Sequence, residues 1–133
     1  MIALDTNVLM RLLVADDLKQ QDLAAQLLRK AAEQGEPCLV SDPVLCETER
    51  VLESCYRASR ADILLAFEGL LAQVDVLVFE DREAFCKALD AYRRGRANFS
   101  DLMIGAKAAA QGARTTFTFD RGLARQEGFS LLG

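Results

Sequence analysis

Apolar residues along this chain fall into two rhythms. Short runs at Ile2–Leu4, Cys38–Val40, Val74–Phe79 and Thr115–Phe119 read as strands. Between them the apolar positions recur at helical spacing. "DLKQQDLAAQLLRKAAEQG" places Leu23, Leu27 and Leu28 on one face and stops at Gly35. "DPVLCETERVLESCY" predicts a helix capped by Asp42, with Pro43 at its first position. "SRADILLAFEGLLAQ" and "DREAFCKALDAYRR" predict two more. "SDLMIGAKAAAQG" begins on Ser100 as a cap, and its small and apolar interior predicts burial. "DRGLARQEG" reads as a short helix and "FSLL" as an edge strand. Strands alternating with helices predict an α/β sandwich, a parallel sheet with helices on both faces. No linker, repeat or low-complexity stretch interrupts the order, so residues 1–133 are expected to form a single domain.

Composition narrows the chemistry more than the fold. Of 133 residues, 51% are hydrophobic and 27% charged, and no run of apolar residues is long enough to span a bilayer. The N-terminus enters a strand pattern without a basic, signal-like region, so a cytoplasmic protein with no membrane attachment is expected. Cys38, Cys46, Cys55 and Cys86 are scattered, without a close pair, and read as free thiols rather than a disulfide or metal framework. The chain has no histidine. Catalysis must therefore proceed without imidazole, and any metal must be held by oxygen, which points to Mg²⁺ or Mn²⁺. A net charge of −4 sets bulk electrostatics against nucleic acid while leaving room for local basic patches.

In open α/β sheets, sites form beyond the carboxyl ends of the strands. Asp5 ends the first strand, Asp120 follows the fourth, and Asp101 lies one residue after the expected cap Ser100. Each also has a structural use, as a helix cap or as a favourable charge in a first helical turn. In the helix after the second strand, Glu47 and Glu49 flank the stripe of Val44, Val51 and Cys55 on opposite sides, and periodicity does not choose between them. Several carboxylates in one cleft repel unless a divalent cation neutralises them.

"ALDTNVLMRLL", "PVLCETERVL", "ANFSDLMIGA" and "TTFTFDRGLA", in that order, resemble the four blocks of PIN-domain ribonucleases, and most closely the VapC toxins of type II toxin–antitoxin modules. The resemblance implies a PIN-like three-layer α/β/α sandwich with a mainly parallel central sheet. It implies an acidic quartet, Asp5, Glu47, Asp101 and Asp120, around one or two Mg²⁺ or Mn²⁺ ions, and so selects Glu47 over Glu49. Asp5 and Asp101 match the direct ligands, with Glu47 and Asp120 completing the shell or orienting water. Thr6, Asn7, Ser100 and Thr118 match small polar positions that hold the carboxylates, Thr118 on the face of Asp120. Asn98 stands where the family often has another Asp; it brings hydrogen-bonding capacity but no charge toward a second, weaker ion.

The activity implied is endonucleolytic cleavage of single-stranded or loop RNA by metal-activated water. Arg93, Arg94 and Arg96 form a candidate phosphate track, with Tyr92 and Phe99 as candidate stacking faces and Arg11, Lys107 and Arg121 near the quartet in sequence. The alternative for the arginines is a solvated helix end that complements the dipole. The resemblance further implies a VapB-type antitoxin partner and a homodimer, with Leu12, Leu13 and Leu27 as candidate partner surface or core. Two other readings compete. One is a catalytically silent PIN-like binding module. The other, a receiver-type phosphoacceptor domain, calls for two acids after the first strand and a Lys where Arg121 stands.

Overall fold

Every strand pairing in the chain is parallel, as expected from strands separated by helices. The computed structural model describes residues 1–133 as two compact units, Met1–Glu80 and Asp81–Gly133. The strands form a three-stranded sheet in the first unit and a two-stranded sheet in the second.

The first unit runs β1 (Ile2–Ala3), α1 (Thr6–Leu13), α2 (Leu18–Glu33), β2 (Cys38–Val40), α3 (Asp42–Tyr56), α4 (Arg60–Leu71) and β3 (Leu77–Phe79). Its sheet order is β1-β2-β3, with Cys38 opposite Leu77 and Val40 opposite Phe79. Because side chains alternate across a strand, these four share one face, and all four are buried. Leu39 and Val78 point the other way, and Val78 is 41% exposed. Leu9, Leu45 and Phe67, none with any exposed surface, supply the helical side of the core. Burial at Cys38 pushes its thiol pKa up, which leaves it an inert core residue.

Helix ends in this unit are set by local chemistry. α4 begins with a reciprocal capping box, the Ser59 hydroxyl accepting from Asp62 N–H and the Asp62 carboxylate accepting from Ser59 N–H. α3 stops where Arg57 adopts a left-handed backbone, φ 52°. Its start corrects the expected cap. Ser41 is the N-cap without a side-chain bond, Asp42 is already helical, and the Asp42 N–H donates to Glu80 Oε1 at 3.1 Å. An acid beyond β3 thus does the capping that Asp42 was expected to do. The third strand is shorter than its apolar run, since Val76 and Leu77 N–H both donate to Gln73 O and hold 74–76 in a turn.

Asp16, in the connection between α1 and α2, is gripped by the Arg11 guanidinium and the Tyr56 hydroxyl. Both bonds hold the Asp16 carboxyl below the usual carboxylate range. α2 itself buries Ala24 and Ala31, whereas Leu23 is 58% and Leu27 39% exposed. Of the predicted stripe, Leu23 and Leu27 therefore lie on the surface, and for Leu27 the partner-surface alternative stays open.

The second unit runs α5 (Arg82–Arg94), α6 (Phe99–Ala110), β4 (Thr116–Thr118), a 3₁₀ turn at Leu123–Arg125 and β5 (Phe129–Leu131). α5 and α6 pack through Phe85, Leu89 and Tyr92 against Phe99, Leu102 and Met103, all buried. Phe85 and Tyr92 each meet the Phe99 ring edge-on, with centroids 5.9 and 6.1 Å apart. Asp81 caps α5 through Ala84 N–H and also accepts from Lys107 Nζ at 3.0 Å, tying the two helices together. The cap and then the lysine hold the Asp81 carboxyl below its ordinary pKa. α6 is only partly buried: Ile104 is 56% exposed and Ala109 and Ala110 are exposed. Gly105 lets β5 approach, since a Cβ there would lie 2.6 Å from the Phe129 ring. The edge strand expected at "FSLL" is β5, paired with β4. The short helix expected after β4 is a single 3₁₀ turn.

Candidate functional site

Asp5 sits between β1 and α1, exposed, where the chain turns from strand to helix. Its Oδ1 accepts from Val8 N–H at 3.0 Å and so caps α1. Oδ2 carries no hydrogen bond to the protein. The capping role and an open oxygen thus coexist on one side chain. Thr6 and Asn7 form the first turn of α1. Asp5, Asn7 and Arg11 line one side of a groove of about 340 Å³, whose other wall is Gln20, Leu23 and Leu27 of α2.

The two acids of α3 have opposite surroundings. Glu47 is exposed and makes no hydrogen bond or ion pair. Glu49 is 2% exposed, and its Oε1 is buried without a hydrogen-bond partner. Burial, then the neighbouring Glu53 carboxyl, push the Glu49 pKa up to about 7. Only Glu47 offers a solvent-facing carboxylate to an ion.

In the second unit, α6 starts two residues earlier than its expected cap allows. Asn98 is the N-cap, its side chain accepting from Ser100 N–H at 3.2 Å, and Ser100 is inside the helix. Asp101 is therefore the third residue of α6, half-buried and without a hydrogen bond or ion pair. Backbone N–H groups of the first turn make that position favourable for a negative charge. Asp120 lies just beyond β4. Its Oδ1 accepts from Leu123 N–H at 3.1 Å, while its own N–H donates to Thr118 Oγ1 at 3.0 Å. Thr118 thus supports Asp120 through the backbone of a turn, because the strand ends at Thr118 rather than running on. Gly122 keeps the turn open, since a Cβ there would sit 3.2 Å from Asp120 Oδ1.

The arginine track and its aromatics separate on inspection. Arg93 and Arg94 both pair with Asp90, at 3.4 and 2.8 Å, in the last turn of α5, and Arg96 follows the helix. Tyr92 and Phe99, expected as stacking faces, are 2% and 0% exposed. Their rings are consumed by the α5–α6 packing, so neither can stack on a base. Lys107 is engaged by Asp81, and Arg11 by Asp16. Two acids the sequence reading passed over, Glu80 and Asp81, follow β3 as Asp5 follows β1. The signal lay in "LVFED", an apolar run ending on acids.

Each unit holds two of the four candidate acids, and neither unit contains three or more acidic or other donor side chains close enough to hold an ion. As a donor set they suit a hard divalent cation: carboxylates only, with no histidine in the chain. Asp5 and Asp120 each keep an oxygen beyond the cap bond, and Glu47 and Asp101 keep both.

The PIN domain family model matches residues 2–128. The chain belongs to the PIN domain family. That match carries the mixed α/β fold with parallel strands and sets aside the receiver-domain alternative. PIN domains are generally nucleases and typically use divalent metals. No curated protein matches the chain. No helix of this PIN domain is long and apolar enough to cross a membrane.

Proposed function

We infer that this PIN domain is a Mg²⁺- or Mn²⁺-dependent endoribonuclease, the cytoplasmic toxin of a VapBC-type pair. The observation that carries the reading is the family match over 2–128, joined to four carboxylates that each retain an unengaged oxygen. Asp5 and Asp101 are assigned as direct ligands, with Glu47 and Asp120 completing the shell. When bound, such an ion lowers the pKa of an attacking water and offsets the charge that builds on a phosphoryl group. The protein's part is to hold the carboxylates. Val8 N–H fixes Asp5, Leu123 N–H and Thr118 fix Asp120, and the first turn of α6 carries Asp101.

The groove beside Asp5 supports an antitoxin partner. Leu23 and Leu27 offer apolar contact there, and Asp5 offers a carboxylate that a guanidinium from a partner would satisfy in bidentate fashion. A homodimer and a single working domain spanning both units belong to the same proposal.

The test incubates the protein with single-stranded RNA in Mn²⁺ or chelator, beside Asp101→Asn, and measures Mn²⁺ binding by calorimetry in parallel. Cleavage is expected only with Mn²⁺, and both cleavage and ion binding should fall steeply in the variant. Cutting that persists in chelator and in Asp101→Asn rejects the metal-dependent reading. Tight ion and RNA binding without any cutting would leave a silent binding module instead.

A further inference from the structure

We propose that the groove between α1 and α2 is a base pocket, which takes the purine next to the cleaved phosphodiester of a single-stranded RNA; this deepens the nuclease reading and rests on it. Every residue that lines the groove belongs to α1, to α2 or to the turn before α1, so its walls come from the first unit alone. Its volume, about 340 Å³, lies at the small end of ligand clefts. Leu23 and Leu27 give it an apolar wall that is open to solvent. The polar groups beside that wall are unspent. Neither the Asn7 nor the Gln20 carboxamide makes a hydrogen bond within the protein. Arg11 is clamped in place, its Nη1 donating to an Asp16 carboxylate that also accepts from the Tyr56 hydroxyl. Arg11 Nε is nonetheless buried and has no hydrogen-bond partner. A buried donor without an acceptor is costly, and a ligand that supplies the acceptor removes that cost.

The chemistry of these groups selects the occupant. Asp16 neutralises Arg11 and Asp5 adds a negative charge, so the groove itself disfavours a phosphate. A neutral ring with apolar faces and polar edges meets no such repulsion, and the bases of single-stranded RNA are free to leave the stack. Duplex bases are not. Purines carry the N7 acceptor that pyrimidines lack, and guanidinium and carboxamide N–H groups are its usual partners. Arg11 Nε–H supplies such a donor. Asn7 and Gln20 suit the exocyclic edge of either purine, since each carboxamide both donates and accepts. Asp5, the assigned ion ligand, lines the same groove, so a base seated there sets its adjoining phosphate beside the ion. Cleavage is then selective for a step next to a purine, and an antitoxin held in this groove inhibits by taking the place of the base.

The test compares short labelled oligouridylates by fluorescence anisotropy with divalent ions chelated: one unmodified, one with a single adenosine and one with a single 7-deazaadenosine. The adenosine oligomer should bind about tenfold more tightly than the other two. Asn7→Ala and Gln20→Ala, both at exposed positions, should each shrink that preference to about threefold or less. Arg11→Lys keeps a cation for Asp16 but has no Nε, and should equalise adenosine and 7-deazaadenosine. If it does not fold, the two carboxamide variants carry the test. Equal binding of all the oligomers, or a preference that survives in every variant, overturns the pocket. So does sedimentation that shows a dimer broken by Leu23→Ser and indifferent to RNA. Adenosine-selective binding with no cleavage in Mn²⁺ would sink the nuclease reading and leave the pocket standing. Cleavage in Mn²⁺ with the same KM for every oligomer would do the reverse.

Discussion

Leu89 on α5 is 2% exposed, and Leu23 on α2 is 58% exposed. Both belong to apolar stripes at helical spacing, and both helices begin with an aspartate cap, Asp81 and Asp17. α5 carries large rings on its stripe, Phe85 and Tyr92, which find a matching ring in Phe99. α2 instead buries alanines, Ala24 and Ala31, and its leucines stand along the groove beside Asp5. Amphipathic spacing specifies that a face exists. What covers it depends on whether a complementary surface comes from elsewhere in the chain.

That contrast is open to breaking. Phe99→Ala should cost about 3–5 kcal/mol in urea unfolding, because it removes the ring against which both Phe85 and Tyr92 pack. A loss under 1 kcal/mol would mean the α5–α6 seam is loose. Glu49 sharpens the picture for the first unit. Its folded pKa of about 7 exceeds its ordinary 4.5, so the folded chain holds a proton that the unfolded chain releases. Stability from this group is complete below about pH 4.5, declines between 4.5 and 7, and is flat above, by at most about 3 kcal/mol. Glu53 deepens the effect, while Arg60 of α4 and Arg50 oppose it. Glu49→Gln should flatten this part of the pH–stability curve, and an unchanged slope would place Glu49 in water.

Gly105→Ala should cost about 1–3 kcal/mol by forcing the added methyl group into the Phe129 ring, with recovery in Gly105→Ala/Phe129→Leu. The Asp81 carboxyl runs opposite to Glu49. Its pKa is lowered by Ala84 N–H and Lys107, so its contribution is present at neutral pH and lost on acidification. Asp81→Asn should make the acid limb of the stability curve shallower. The smallest effect is expected at the surface leucines. Leu23→Ser and Leu27→Ser should shift stability by less than about 0.5 kcal/mol each. A larger loss would show that the groove is packed in the free protein.

Much of the fold was legible because it rests on local rules. β2 spans Cys38–Val40 as its apolar run predicted, and every predicted helix except the short one after β4 is present within a few residues. Errors fell where a distant or backbone partner decided the outcome. Glu80 displaced Asp42 as the cap of α3, and Asn98 displaced Ser100 as the cap of α6. Gln73 O shortened β3 by capturing two N–H groups in a turn. Among the candidate site residues, the sequence marked Asp5 and Asp120 as termini where a carboxylate both caps and remains available. Helical spacing left Glu47 and Glu49 equivalent, since they flank one stripe symmetrically. Tyr92 and Phe99 looked like stacking faces because an aromatic near arginines has the same signature whether it faces solvent or a second helix.

The sequence by itself determined the strand and helix order, the parallel pairing, the acids at element ends and, through the absence of histidine, an all-oxygen donor set. These follow from periodicity and side-chain chemistry, which act over a few neighbouring residues. Tertiary structure alone decided that Glu49 is buried while Glu47 is open, and that the α5 stripe is covered while the α2 leucines are not. Burial is a property of what arrives from far along the chain, and no local pattern encodes it.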